Sequence, residues 1–151
     1  MKYTKKRSID KEQLSKGIRK VRSLINKHTN NEDYISAYLL QISLLEDRLR
    51  VMYYLHCSIR KRDVDFNTIP TLGKLVNRIE EETSLLHVYG KDEKIYLKRL
   101  TFTYSMRNAL VHQLISNTDS ILKTDIIQVD QLIHKVSSII RELKKEYYKE
   151  T

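Results

Sequence analysis

The sequence predicts an all-α fold, a helical bundle of about five helices. Only 3 glycines and 1 proline occur in 151 residues, too few turn-forming residues for an all-β fold. Apolar residues recur at steps of three and four through most of the chain, which is the spacing of amphipathic helices. The polar breaks between these segments are short, as in a bundle. We expect residues 1–151 to form one domain, because this length suits a single hydrophobic core.

The first two predicted helices differ in character. Residues 1–7 read as a basic, mobile tail, and Ser8 or Asp10 caps a first helix that is apolar on one side only. The opposite side is basic, and is either a solvated face or a rail for RNA phosphates; it carries Lys16, Arg19, Lys20 and Lys27. The second helix, from about Asp33 to Arg60, is apolar nearly all round. Such a helix is either central to the bundle or meets a partner with its second face.

Three more helices follow. The third runs from Leu72 to about Glu82, with Pro70 just before it, where its missing amide costs nothing. The fourth runs from about Glu93 to Ser116. The fifth begins near Asp119, and its apolar residues follow near-heptad steps from Leu122 to Tyr147. That pattern suits long antiparallel packing in a bundle, or a coiled-coil contact with another chain.

Composition narrows the classes of function. The chain has 28 Lys and Arg against 19 Asp and Glu, a net charge of +9, which favours polyanions, nucleic acid first and an anionic membrane surface second. Its single cysteine, Cys57, excludes an internal disulfide and a cysteine zinc cluster. No stretch approaches the roughly 18 apolar residues of a membrane span, and the basic N-terminus is not followed by the apolar region of a signal peptide. We therefore expect a cytoplasmic protein.

The fourth predicted helix carries polar residues that packing alone does not require. Asn108 and His112 are four residues apart and share a helix face. Histidine transfers protons near neutral pH, and Asn108 is placed to fix its ring orientation. Arg107 offers a planar fork of donors that fits a phosphate. These are the parts that cleavage of RNA by its own 2′-hydroxyl needs, without a metal. The alternative is a satisfied core histidine and a surface arginine.

One straight helix cannot aim Arg107 and His112 at a single atom, because they lie about 140° apart around the axis and about 7.5 Å apart along it. A long side chain, a bend, or a second copy of the chain would have to complete the site. On the second helix, Glu46-Asp47-Arg48 interrupts the apolar pattern. It is either an exposed patch with local ion pairs, or it places Glu46 near a site at the bundle centre.

The segment Arg107-Asn108-Ala109-Leu110-Val111-His112 resembles the R-[polar]-x-x-x-H motif of the HEPN superfamily (higher eukaryotes and prokaryotes nucleotide-binding). The resemblance covers about residues 30–147 and implies a HEPN-like helical bundle. It further implies a metal-independent endoribonuclease, without cofactor, that leaves 2′,3′-cyclic phosphate ends. Arg107 and His112 would be catalytic. Asn108, Tyr104 and Glu46 are supporting candidates.

The resemblance also bears on partners. It implies an RNA substrate, a homodimer with the Arg107/His112 helices facing across the two-fold axis, and an antitoxin or another defence partner in a toxin or phage-defence system. One residue departs from a subfamily: toxins paired with a nucleotidyltransferase antitoxin continue the motif as H-x-Tyr. Here Leu114 stands in place of that tyrosine, which speaks against this pairing.

Two alternatives remain. A catalytically inactive HEPN-like module would serve only dimerisation or nucleic-acid binding. A helical DNA-binding regulator is less consistent with the sequence, because the one short candidate helix ends in Glu80-Glu81-Glu82, a poor approach to phosphate. No glycine-rich phosphate loop is present. The remaining histidines (His28, His56, His87 and His134) show no metal-ligand spacing, so we expect no metal.

Overall fold

The computed structural model describes residues 2–70, 72–81 and 119–149; within these, the side chains of residues 2–15, 72–73, 80 and 119–122 are not described. The fold is all-α, as predicted. Four α-helices lie in the described part: α1 (Lys2–Asn30), α2 (Tyr34–Ile59), α3 (Leu72–Glu81) and α4 (Asp119–Lys149). A short 3-10 helix, Phe66–Thr68, lies between α2 and α3. No helix of the described residues is long and apolar enough to cross a membrane.

Helix α2 is central, one of the two roles that its sequence allowed. It packs against α1, α3, α4 and the 3-10 helix. Sixteen of its 26 residues are buried, among them Ala37, Ile42, Leu45, Leu49 and Met52, each with 0% of its surface exposed. An apolar helix surrounded by its neighbours is the expected arrangement for such a sequence. Cys57 is buried in this helix as a thiol, where a cysteine packs as a small hydrophobic residue.

Helices α1 and α2 end in the same way. Glu32 and Lys61 have positive φ angles of 61° and 56°. After α1, Glu32 N donates to Thr29 O and Asp33 N to His28 O; after α2, Lys61 and Arg62 repeat this pattern. These paired bonds form a Schellman motif, in which the residue with positive φ is usually glycine. Both chain reversals are therefore built without glycine.

Helix α4 runs in the same direction as α2. Near the start of both, Lys123 Nζ lies 5.1 Å from the centroid of the Tyr34 ring. A little before the middle of both, Leu44 and Ile133 line one pocket. The predicted stripe of this helix is confirmed from Ile126 to Ile140, and its last two members, Leu143 and Tyr147, pack against the core. Parallel packing fits the long connection between α2 and α4. The antiparallel packing that the near-heptad pattern suggested is therefore wrong for this pair of helices.

The helix boundaries agree with the sequence predictions except at the N-terminus. The predicted bounds of α2 and α3 and the start of α4 hold within about one residue. The predicted cap at Ser8 or Asp10 was wrong, because α1 already begins at Lys2. Residues 2–16 contain no glycine or proline, so no residue there stops the helix from extending past either candidate cap. The predicted helix at 93–116 lies outside the described residues.

Candidate functional site

Most of the predicted site lies in a part of the chain that the structure does not describe. Tyr104, Arg107, Asn108 and His112 all fall within residues 82–118. Glu46 is the one predicted site residue within the described part of the chain. It is half-buried near the middle of α2.

The Glu46-Asp47-Arg48 segment combines features of both alternatives considered for it. The local ion pair exists, since Arg48 Nη2 lies 2.8 Å from Asp47 Oδ2. Arg48 is nevertheless 7% exposed, so the segment is not simply a surface patch. Glu46 takes no part in the pair, and its Oε2 atom is buried without a hydrogen-bond partner in the structure. A buried acceptor without a partner costs free energy, which makes Glu46 a candidate for a functional rather than a stabilising role.

The face of α2 around Glu46 changes character along the helix. On its N-terminal side Ile35 and Leu39 are exposed, at 41% and 39%. On its C-terminal side Tyr53 and Cys57 are buried. These residues share one face of the helix with Ile42, which is fully buried. The exposed apolar surface therefore ends before Glu46.

Arg50, one turn after Glu46 on the same face, is held by the segment that follows α2. Its Nη2 donates to Phe66 O at 3.1 Å, and its guanidinium carbon lies 4.7 Å from the centroid of the Phe66 ring. Arg50 Nε has no hydrogen-bond partner, and no ion pair within 4 Å joins Glu46 to Arg50 in the described structure. A carboxylate oxygen and a guanidinium nitrogen thus remain unpaired one turn apart.

The basic face predicted for α1 is solvent-exposed. Lys16, Arg19, Lys20 and Lys27 are all exposed, while Ile25 on the other side is buried. Exposed cations on one face attract polyanions that approach within about 8 Å, the screening length at physiological ionic strength. The exposure fits both the solvated face and the phosphate rail that the sequence left open.

The junction of α1 and α2 holds an acid with a clearly shifted pKa, Asp33. Asp33 caps α2, its Oδ1 accepting from Ser36 N at 3.3 Å. This hydrogen bonding from Ser36, and to a smaller extent the nearby His28, lowers the pKa of the Asp33 carboxyl. His28 Nδ1 lies 3.2 Å from Asp33 Oδ2. The pair joins the end of one helix to the start of the next, and its role is structural.

Sequence reasoning missed one polar group in the core. Gln41 is 2% exposed and its Oε1 has no hydrogen-bond partner. It lines a pocket between α1, α2 and α4. The only signal in the sequence was a glutamine at a core position of an apolar stripe, one turn after Tyr38 and one turn before Leu45.

Among the described residues no group of three His, Cys, Asp or Glu side chains is placed to hold a metal ion. No protein-family model matches the chain, and neither a curated protein nor a solved structure matches it.

Proposed function

We propose that this chain is a metal-independent endoribonuclease of the HEPN type that cleaves RNA by attack of the 2′-hydroxyl and leaves a 2′,3′-cyclic phosphate. The observation that carries the proposal is the motif Arg107-Asn108-Ala109-Leu110-Val111-His112 in a chain whose described part is an all-α bundle. The proposal is supported by the half-buried, unpaired carboxylate of Glu46 on the central helix. It is further supported by the net charge of +9 and the exposed basic face of α1.

Each residue has a chemical task in this proposal. His112 acts either as the base that takes the proton from the 2′-hydroxyl or as the acid that gives a proton to the leaving 5′-oxygen. Arg107 stabilises the charge on the phosphate as the P–O bond to the 2′-oxygen forms and that to the 5′-oxygen breaks. Asn108 orients the imidazole, and Glu46 and Tyr104 support the site. Since Arg107 and His112 lie about 140° apart on one helix, a homodimer brings the two motif helices together across its two-fold axis.

The biological setting follows from the same resemblance. The protein is a cytoplasmic toxin or phage-defence component held in check by an antitoxin or another partner protein. In toxins paired with a nucleotidyltransferase antitoxin, the tyrosine of the H-x-Tyr motif is the residue modified by AMP transfer. Leu114 stands at that position, so AMP transfer does not suit this chain as a means of inactivation. Expression of the wild-type chain in bacteria should therefore be toxic, and Arg107→Ala should abolish the toxicity.

The direct test is RNA cleavage in EDTA. Purified wild-type protein is incubated with total cellular RNA and tRNA, and the product ends are examined for cyclic phosphate. Wild type should cut, whereas His112→Ala and Arg107→Ala should lose about two to four orders of magnitude in rate. His134→Ala is the matched control, because His134 is an exposed histidine on α4. Equal loss in all three variants, or an inert wild type, contradicts the proposal.

A second candidate function is a catalytically inactive HEPN-like module for dimerisation or nucleic-acid binding. The observation that favours it is the exposed apolar pair Ile35 and Leu39 on the central helix, because exposed apolar surface of this kind is typical of contacts with a partner. Light scattering of Leu39→Glu tests this. A dimer that dissociates on this substitution, together with RNA binding without cleavage by wild type, would favour the module over the enzyme.

A further inference from the structure

A pocket of about 270 Å³ lies between α1, α2 and α4. Its apolar part consists of Ile25, Leu44 and Ile133, one from each helix, all of them buried. The volume equals that of about nine water molecules at ~30 Å³ each. It is slightly below the range of roughly 300–1,000 Å³ found for drug-sized ligands, so the pocket suits a small metabolite.

Five polar side chains line the same pocket: Arg22, Asn26, Gln41, Asp130 and His134. Gln41 is the deepest of them, 2% exposed, and its Oε1 lacks a partner. Oε1 itself has almost no exposed surface, so the carboxamide has to rotate to turn this acceptor toward a ligand in the pocket. A buried polar group in a native structure is nearly always hydrogen-bonded, and a ligand with a donor is one way to satisfy it.

The pocket carries both signs of charge. Arg22 is half-buried and makes no ion pair or hydrogen bond in the part of the chain that the structure describes. On α4, Asp130 is only loosely engaged, since His134 Nδ1 lies 3.5 Å from its Oδ2. His134 Nδ1 lies closer to the backbone oxygen of Asp130, at 2.8 Å. Because a carbonyl oxygen only accepts, the Nδ1 atom carries the proton in this contact.

We propose that this pocket binds a free α-amino acid with an apolar side chain. Arg22 takes the α-carboxylate, for which its planar fork of donors is suited. Asp130 and the Oε1 of Gln41 accept from the α-ammonium group. Ile25, Leu44 and Ile133 cover the side chain. The ligand supplies the donor that Gln41 lacks and the anion that Arg22 lacks, so each unpaired group finds the opposite partner.

The mixed charge of the pocket argues against a nucleotide. A phosphate on Arg22 would face the carboxylate of Asp130 in the same small space, and like charges oppose binding there. A zwitterion, in contrast, places each of its charges opposite a protein group of the other sign. An amino acid also has the apolar side chain that the three buried aliphatic residues need.

Calorimetric titration with L-leucine, leucinamide and 4-methylpentanoate tests each contact. Leucinamide lacks the carboxylate and 4-methylpentanoate lacks the ammonium group, so each should bind at least about tenfold more weakly than leucine. Arg22→Met should weaken the binding of leucine by a similar factor and leave the binding of leucinamide unchanged. Asp130→Asn should weaken the binding of leucine but not that of 4-methylpentanoate, which should bind as tightly or more tightly because its carboxylate no longer faces a like charge. These selective responses separate a direct contact from a loss of folding.

Gln41→Leu and Gln131→Leu form the matched pair, since Gln131 is exposed on α4. Gln41→Leu should weaken the binding of leucine at least about tenfold without lowering the melting temperature. Gln131→Leu should change neither the affinity for leucine nor the melting temperature. Absence of saturable binding of leucine, isoleucine, valine and phenylalanine up to about 10 mM overturns the proposal, as does an equal effect of Arg22→Met on leucine and leucinamide. The assay contains no RNA, so its outcome is independent of the proposed ribonuclease activity.

Discussion

Replacement of Glu46 by leucine should stabilise the protein and weaken its activity on RNA. The carboxylate has a buried Oε2 without a hydrogen-bond partner, one turn from the buried Ile42 and Leu49 of the same helix. Leucine has nearly the same helix propensity as glutamate, so the change tests the side chain's surroundings rather than the backbone. It removes the unsatisfied acceptor and extends the apolar surface of Ile42 and Leu49, which are fully buried in α2.

The size of the effect follows from the burial of this one oxygen. Leaving a buried polar group unsatisfied costs about 1–3 kcal/mol. Glu46 as a residue is only half-buried, and its other oxygen keeps access to hydrogen-bond partners, so the low end applies. We expect a gain of about 1 kcal/mol in the free energy of unfolding. For a domain of this size, that corresponds to a rise of about 2–4 °C in melting temperature.

Thermal and urea denaturation measure the stability, and the EDTA cleavage assay measures the activity of the same preparation. Glu146→Leu serves as control, since Glu146 is exposed on α4 and should change stability by less than about 0.5 kcal/mol. A loss of more than about 1 kcal/mol in Glu46→Leu would show that the carboxylate makes a stabilising contact. Unchanged RNA cleavage would remove Glu46 from the site.

Three further predictions follow. Asp33→Asn keeps a good helix cap at neutral pH. In wild type, hydrogen bonds from Ser36 hold the pKa of Asp33 below its ordinary value of 3.8, so the stabilisation from this carboxylate is lost as the pH falls through the lowered pKa. Between pH 6 and 2, the melting temperature should therefore fall less steeply for the variant than for wild type. Leu45→Ala should lower the free energy of unfolding by about 3–5 kcal/mol. Leu39→Ala, at an exposed position, should lower it by about 1 kcal/mol or less, and urea denaturation measures both. Arg50→Met keeps the aliphatic stem but removes the contacts with Phe66, so it should lower the free energy of unfolding by about 1–2 kcal/mol in the same assay. An unchanged urea midpoint would mean that water replaces those contacts without loss of stability.

The long periodic helices could be predicted from the sequence, because their spacing encodes the face that each one buries. The stripe Ile126, Val129, Ile133, Val136 and Ile140 is confirmed residue by residue. The turns were less predictable. Glu32 and Lys61 take positive φ where glycine is the usual signal, and the chain reverses there because the helix ends supply the hydrogen bonds. The direction of α4 relative to α2 depends on packing between segments that are far apart in the sequence. A local sequence pattern does not predict such packing.

The candidate sites also have a part that the sequence predicts and a part that it does not. The motif of Arg107, Asn108 and His112 is local, so its spacing can be read in a single segment. The unpaired state of Glu46 could not be predicted, because burial of one carboxylate oxygen depends on the neighbours of α2 in the folded chain. The pocket at Gln41 could not be predicted either, since Arg22 and Asp130 are more than 100 residues apart in the sequence.

Gln41 and Glu46 together suggest how the central helix serves two surfaces. They are five residues apart on α2, which places them about 140° apart around its axis. Each carries a buried oxygen without a partner, in a helix that is otherwise well packed. Two apolar residues at these positions would make α2 more stable, at about 1 kcal/mol or more each. A sequence optimised for stability alone has no reason to keep either group, so both point to ligands on opposite sides of one helix: the proposed RNA site on the Glu46 side, and the amino-acid pocket on the Gln41 side.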